Sequence, residues 1–180
     1  MSLVAKMPPP KPRELPKNEP TQAVCFAIVD CGQHEQENRE TGEVRLVPKV
    51  MYLFELDQKR TDGLPFIMGQ THTNSMHKKS NQRPWLESWN GVKFTDAEAE
   101  AGVMLDPYVG KNAYITPVYT DAKSGVRYAN IGSITKIRDR DVPMVPTVKE
   151  IPKWVHDYIA KAKVPPAGYV AKTEESDMPF

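Results

Sequence analysis

Proline is spread unevenly along this chain, and its distribution limits the fold more than any motif does. Of 17 prolines, six fall in residues 1–20 and six from Pro143 onward, leaving five for the long middle stretch. Proline fixes φ and removes a backbone donor, so both ends read as largely extended segments. The packed region is thereby confined to residues 21–141, which is one domain's worth of chain. Residues 1–20 are expected to be a flexible, Pro-rich, weakly basic arm, and residues 142–170 a Pro-punctuated linker with a short helix over 152–163 carrying Trp154, Tyr158 and Ile159. Residues 171–180 form an acidic tail.

Within the middle region the pattern is that of strands. Ala23–Val29 is a run of β-formers that Asp30–Gly32 begins to break, with a polar loop expected over Gln33–Gly42. Val44–Leu56 follows with two apolar faces, one carrying Leu46, Val50, Tyr52, Phe54 and Leu56, the other Val47, Met51 and Leu53 beside Arg45 and Lys49. Thr61-Asp62-Gly63 is a turn into a third strand, Pro65–Thr73. A helical insert comes next. Ser80 or Asn81 caps a helix with Pro84 in its first turn, Trp85 and Trp89 on one face, and Asn90-Gly91 as its stop. Thr95-Asp96-Ala97-Glu98 is a capping box for a second short helix, and Asp106-Pro107 supports one more turn. Ala113–Thr120 and Val126–Ile137 close the domain as a hairpin. Three strands, a helical insert and two strands is the element order of an OB-fold, so the expected class is mainly β: a five-stranded OB-fold barrel with a helical insert.

Composition and charge narrow the function. No apolar run approaches the roughly 20 residues of a membrane span, and the start of the chain lacks an apolar signal core. Cys25 and Cys31 lie in one apolar stretch without CxxC spacing and read as buried thiols in a reducing, cytoplasmic setting. No P-loop, GxGxxG, GxSxG or HExxH occurs, and His34, His72, His77 and His156 lack the companions of a metal site. No enzymatic activity, cofactor or metal is therefore expected.

The net charge is only +1, but the charge is clustered. Between His72 and Arg83 lie Lys78, Lys79, Arg83 and two histidines with no acid; between Lys123 and Arg140 lie Lys123, Arg127, Lys136, Arg138 and Arg140 against Asp139 alone. Tyr114, Tyr119 and Tyr128 are on the hairpin, and Trp85 and Trp89 beside the basic loop. Cations that track phosphates and aromatic faces that stack bases are the equipment for single strands. The expected contacts to single-stranded DNA are Arg45, Lys49, His72, Lys78, Lys79, Arg83, Tyr114, Arg127, Tyr128, Lys136 and Arg138. Trp85 and Trp89, at helical spacing, fit a core better than a base platform, and strand parity buries one of Tyr114 and Tyr119.

The last residues, Glu174, Glu175 and Asp177 leading into Met178-Pro179-Phe180, place an aromatic anchor and a carboxylate behind an acidic run. This ending resembles the C-terminal tip of bacterial single-stranded DNA-binding proteins, in which the tip recruits replication and repair proteins. The resemblance implies that Asp177, Met178, Pro179 and Phe180 form a partner-binding tip for replication and recombination proteins. The acidic run is shorter than is usual in that family, and an ordinary solubilising acidic tail is the plainer alternative. The stretches Lys49–Leu56, His77–Asn81, Leu86–Gly91 and Tyr128–Ile131 also resemble small phage and prophage proteins of replication modules. Together they imply sequence-independent single-stranded DNA binding in phage replication, recombination or repair, in the cytoplasm of a bacterial host. An adaptor that captures host factors through the tip without binding DNA is the alternative. A homo-oligomer is left open.

Overall fold

The computed structural model describes residues 13–170. Five antiparallel strands form one sheet: β1 (Thr21–Glu37), β2 (Val44–Lys59), β3 (Pro65–Thr73), β4 (Asn112–Asp121) and β5 (Arg127–Thr135), in the spatial order β3-β2-β1-β4-β5. Helices α1 (Gln82–Asn90) and α2 (Asp96–Ala101) and a 3-10 turn at Asp106–Tyr108 lie between β3 and β4, and α3 (Lys153–Ala160) follows the sheet. The protein is thus mainly β with a helical insert.

β1 joins the two halves of the sheet. Its first residues, Thr21–Val24, pair with Ile115–Asn112 of β4, while Ala23–Glu37 pair with β2. The strand runs on past the expected break at Asp30–Gly32, so the polar loop is shorter than Gln33–Gly42. A register shift between Asp30 and Gln33 absorbs the irregularity. Gly32 sits there at φ 74°, its N–H donating to Asp30 Oδ1 at 2.8 Å, and a Cβ at this position would strike the Val164 carbonyl oxygen. Only glycine meets both conditions.

Both faces of β2 are buried from Val50 to Leu56, whereas Leu46, expected on the core face, is exposed. Val50, Tyr52, Phe54 and Leu56 pack with Ala23, Cys25, Leu86, Trp89, Ala113 and Ile115 in the main core. Met51 and Leu53 face the other way and pack with Cys31 and with Val155 and Ile159 of α3. Cys25 and Cys31 are buried free thiols, both pushed up to about 12, by desolvation above all. Trp89 is fully buried and donates from Nε1 to the Asn112 carbonyl at 2.8 Å. Trp85 is half-buried against Tyr52 at 4.8 Å between ring centroids.

The structure departs from the expectations at several places. The edge strands β3 and β5 approach within 8 Å between Cα atoms but form no ladder, so the sheet is open at this seam. Helix α1 lies along β5 there: Ser88 Oγ donates to the Ile134 carbonyl at 2.5 Å, and Leu86 and Trp89 fill the space beneath. The N-terminal arm is docked from residue 13, with Pro16 buried; Glu14 accepts from Thr61 N at 2.8 Å, and Tyr119 donates to the Pro16 carbonyl at 2.7 Å. The Pro-punctuated segment 142–170 packs on the sheet. Fully buried Glu55 accepts from Thr147 N (2.7 Å), Thr147 Oγ1 (2.7 Å) and Val148 N (2.9 Å), tying the segment to β2. In α3, Val155 rather than Trp154 shares the buried stripe with Ile159.

Candidate nucleic-acid interface

The loop from β3 to α1, residues 74–81, is built on the end of the β2–β3 hairpin. Asn74 N donates to the Pro48 carbonyl at 2.8 Å, and Ser80 Oγ donates to the Ser75 carbonyl at 2.6 Å. Buried Gln82 holds the loop from beneath, donating to Tyr52 Oη at 2.7 Å and accepting from Ser75 N at 2.8 Å. These bonds anchor the loop's two ends to the strands and the core.

Between this loop and the strands lies a cleft of about 660 Å³ that no carboxylate lines. Four of the residues expected to contact DNA meet there: Arg45, Lys49, His72 and Lys79, joined by His77. The ladder brings them together. Arg45 is opposite Gln36 of β1, Lys49 opposite Thr73 of β3, and Val50 opposite His72. Lys49 Nζ donates to Gln36 Oε1 at 2.8 Å and to Thr73 Oγ1 at 2.9 Å, which orients the ammonium while burial lowers its pKa. His77 Nδ1 accepts from Lys79 N at 3.1 Å. Arg45 and Lys79 are exposed and make no side-chain hydrogen bond or ion pair among the described residues.

His72 is only 7% exposed. Its ring lies 4.8 Å from Trp85 and 6.0 Å from Tyr52, and its buried Nε2 has no hydrogen-bond partner. Desolvation, with Lys49 adding repulsion, pushes its pKa down to about 4, so the imidazole is neutral at pH 7. A neutral imidazole keeps one N–H donor and one acceptor.

The remaining expected contacts lie elsewhere, and most are already engaged. Lys78 pairs with Asp96 at 2.8 Å. Arg83, its side chain 12% exposed, bonds Glu87 (3.3 Å), Asp96 (3.1 Å) and the Phe94 carbonyl (2.8 Å), joining α1 to α2. Arg127 pairs with Asp121 at 2.8 Å and Lys136 with Asp139 at 3.6 Å. Arg138 Nε is 3.1 Å from Asp141, whose carboxylate also accepts from Tyr114 Oη at 2.7 Å. The Tyr114 ring is thus covered by Arg138 at 5.5 Å, whereas Tyr128 and Tyr119 are partly exposed beneath Arg13 (5.9 Å) and Arg127 (5.8 Å). The expected tip, Asp177–Phe180, lies outside the described residues.

The expected contact set omitted His77 and the polar residues Gln36 and Thr73. His77 was visible in the basic loop; Gln36 enters only because β1 continues past Gly32. No group of three or more His, Cys, Asp or Glu side chains that could hold a metal occurs among the described residues, and no helix there is long and apolar enough to cross a membrane. No protein-family model and no curated protein matches the chain.

Proposed function

We propose that the protein binds single-stranded DNA without sequence specificity, on an OB-type barrel open at one seam, in phage or prophage DNA replication, recombination or repair. The observation that carries this reading is the carboxylate-free cleft at the β2–β3 hairpin, where Arg45, Lys49 and Lys79 converge. Uncompensated cations at a preformed surface attract a polyanion and release its counterions. The strand order β3-β2-β1-β4-β5, with a helix between β3 and β4, supports the OB-type reading, and the second and third strands are the face with which such barrels hold oligonucleotides. Partly exposed Tyr128 and Tyr119 on the β4–β5 hairpin supply sequence-tolerant stacking surfaces. The acidic tip Asp177–Phe180 recruits replication and recombination proteins in this scheme. No catalytic step, cofactor or metal belongs to it.

The pairing of Lys78, Arg83, Arg127, Lys136 and Arg138 with carboxylates favours a second reading, an adaptor that works through the tip without DNA. Fluorescence anisotropy of a labelled dT oligonucleotide across salt concentrations decides between them. Three cleft cations predict a log–log salt slope of about −2, at about −0.7 per phosphate contact. No binding at low salt would overturn DNA binding and leave the adaptor.

A further inference from the structure

The cleft concentrates more charge than one internal phosphodiester calls for. A backbone phosphate carries a single negative charge, whereas Arg45, Lys49 and Lys79 bring three positive charges, with the imidazoles of His72 and His77 beside them. Five other expected contact cations are each matched to an acid within 4 Å, so the excess is a property of this cleft. Lys49 is not spread over the surface like a charge that merely steers. Gln36 and Thr73 accept hydrogen bonds from its ammonium and hold its position. His72, more than nine-tenths buried, also lines this cleft, and its buried Nε2 has no partner, although buried polar atoms ordinarily find one.

We propose that this cleft is a strand-end site, which holds the terminal phosphomonoester of a single DNA strand. Such a group carries nearly two negative charges at neutral pH and three acceptor oxygens, where a phosphodiester offers one charge and two free oxygens. Arg45 and Lys79 approach from the exposed rim, Lys49 from the sheet, and the imidazole of His72 from the cleft wall. The proposal rests on the single-stranded DNA reading and adds to it that binding depends on how the strand ends. A 5′ and a 3′ phosphate share the required chemistry.

Three dT oligonucleotides of equal length, with an internal label and bearing a 5′ phosphate, a 3′ phosphate or neither, are titrated with the full chain. One phosphorylated end is expected to bind about tenfold tighter than the unphosphorylated strand, the size of one added charge-assisted contact. Lys49→Gln should abolish that preference while a weakened affinity for the unphosphorylated strand persists. Equal affinities for all three strands would overturn the strand-end site and leave DNA binding standing. If no strand binds, the DNA reading itself fails. The cleft is then tested alone by following the His72 and His77 ring resonances during additions of thymidine, its 5′ and 3′ monophosphates, and inorganic phosphate. Shifts with a monophosphate but not with thymidine support the site; no shift overturns it.

Discussion

Lys49 of β2 and Thr73 of β3 face each other across the ladder, and the lysine ammonium donates to the threonine hydroxyl at 2.9 Å. The contact turns a flexible side chain into a fixed donor at the floor of the cleft, with Arg45 on the same face of β2 nearer its start. Lys49→Gln and Arg45→Gln are each expected to weaken binding of a dT oligonucleotide several-fold at low salt. Each should also reduce the magnitude of the salt slope by about 0.7. Anisotropy titrations at four or more salt concentrations check both. An unchanged slope in the double variant would remove the cleft from the DNA path.

Arg83 was expected beside Lys78 and Lys79 as a phosphate contact, and the structure gives it a different task. It joins α1 to α2 through Glu87, Asp96 and the Phe94 carbonyl. Arg83→Gln should therefore lower Tm while leaving the oligonucleotide affinity and its salt slope at the wild-type values. A lowered slope with unchanged Tm would return Arg83 to the interface.

Glu55 carries a pH dependence of stability. Burial would raise the pKa of its carboxyl, but the hydrogen bonds from Thr147 and Val148, helped by the charge of Lys59, outweigh burial and hold it below the usual carboxylate range. A folded-state pKa below the unfolded value of about 4.3 means that the contribution is fully present above that pH. It is lost as pH falls through the folded value. Glu55→Gln should cost about 1–3 kcal/mol at pH 7 and flatten the acid limb of a stability–pH curve measured by urea unfolding. An equally steep acid limb in the variant would show that Glu55 is not its source.

The strand pattern was legible because its causes are local. The two-faced alternation of Val50–Leu56 specified the main core and the second cluster alike, and Thr95-x-x-Glu98 forms the capping box it spells. What the sequence hid depends on long-range partners. Gly32 looked like a strand end, yet it is the bulge that lets β1 continue and bring Gln36 to Lys49. The site was half legible for the same reason. Residue type and clustering marked the cations, but only the fold places Asp96 beside Lys78 and Arg83, and Asp141 beside Arg138, and so separates engaged charges from free ones. Strand parity did not sort the tyrosines. Tyr119 shares the parity of buried Ala113, Ile115 and Pro117 yet is exposed toward the end of the hairpin, while Tyr114 is half-buried against Asp141.

His72 supplies a second pH dependence, opposite in chemistry to Glu55 and identical in sign. Its ring sits against Tyr52 and Trp85 with Lys49 nearby, and its pKa falls from an ordinary value of 6.5 to about 4. The unfolded chain therefore takes up a proton between these values while the folded chain does not. Stability is full above about pH 6.5 and declines as pH drops toward 4, by on the order of 2–3 kcal/mol. His72→Gln should remove that decline between pH 6.5 and 4.5. NMR titration of the His72 ring should place its midpoint well below that of an exposed histidine; a midpoint near 6.5 would overturn the assignment.

The indole of Trp154 in α3 lies against Gly69 of β3. A Cβ at Gly69 would lie 2.6 Å from Trp154 Cη2 and 3.3 Å from Leu53 Cδ2, so the indole covers the glycine at a distance no side chain permits. The missing side chain leaves room for the partly exposed indole, while Val155 and Ile159 seat the helix against Met51 and Leu53. Gly69→Ala should cost about 1–3 kcal/mol by overpacking and displace the indole toward water. Trp154→Ala should lose packing on its own account, and the double variant should be less destabilised than the sum of the two, because the alanine methyl then has room. Thermal unfolding of the four proteins gives the coupling directly; strict additivity would mean that the two residues do not share this contact in solution.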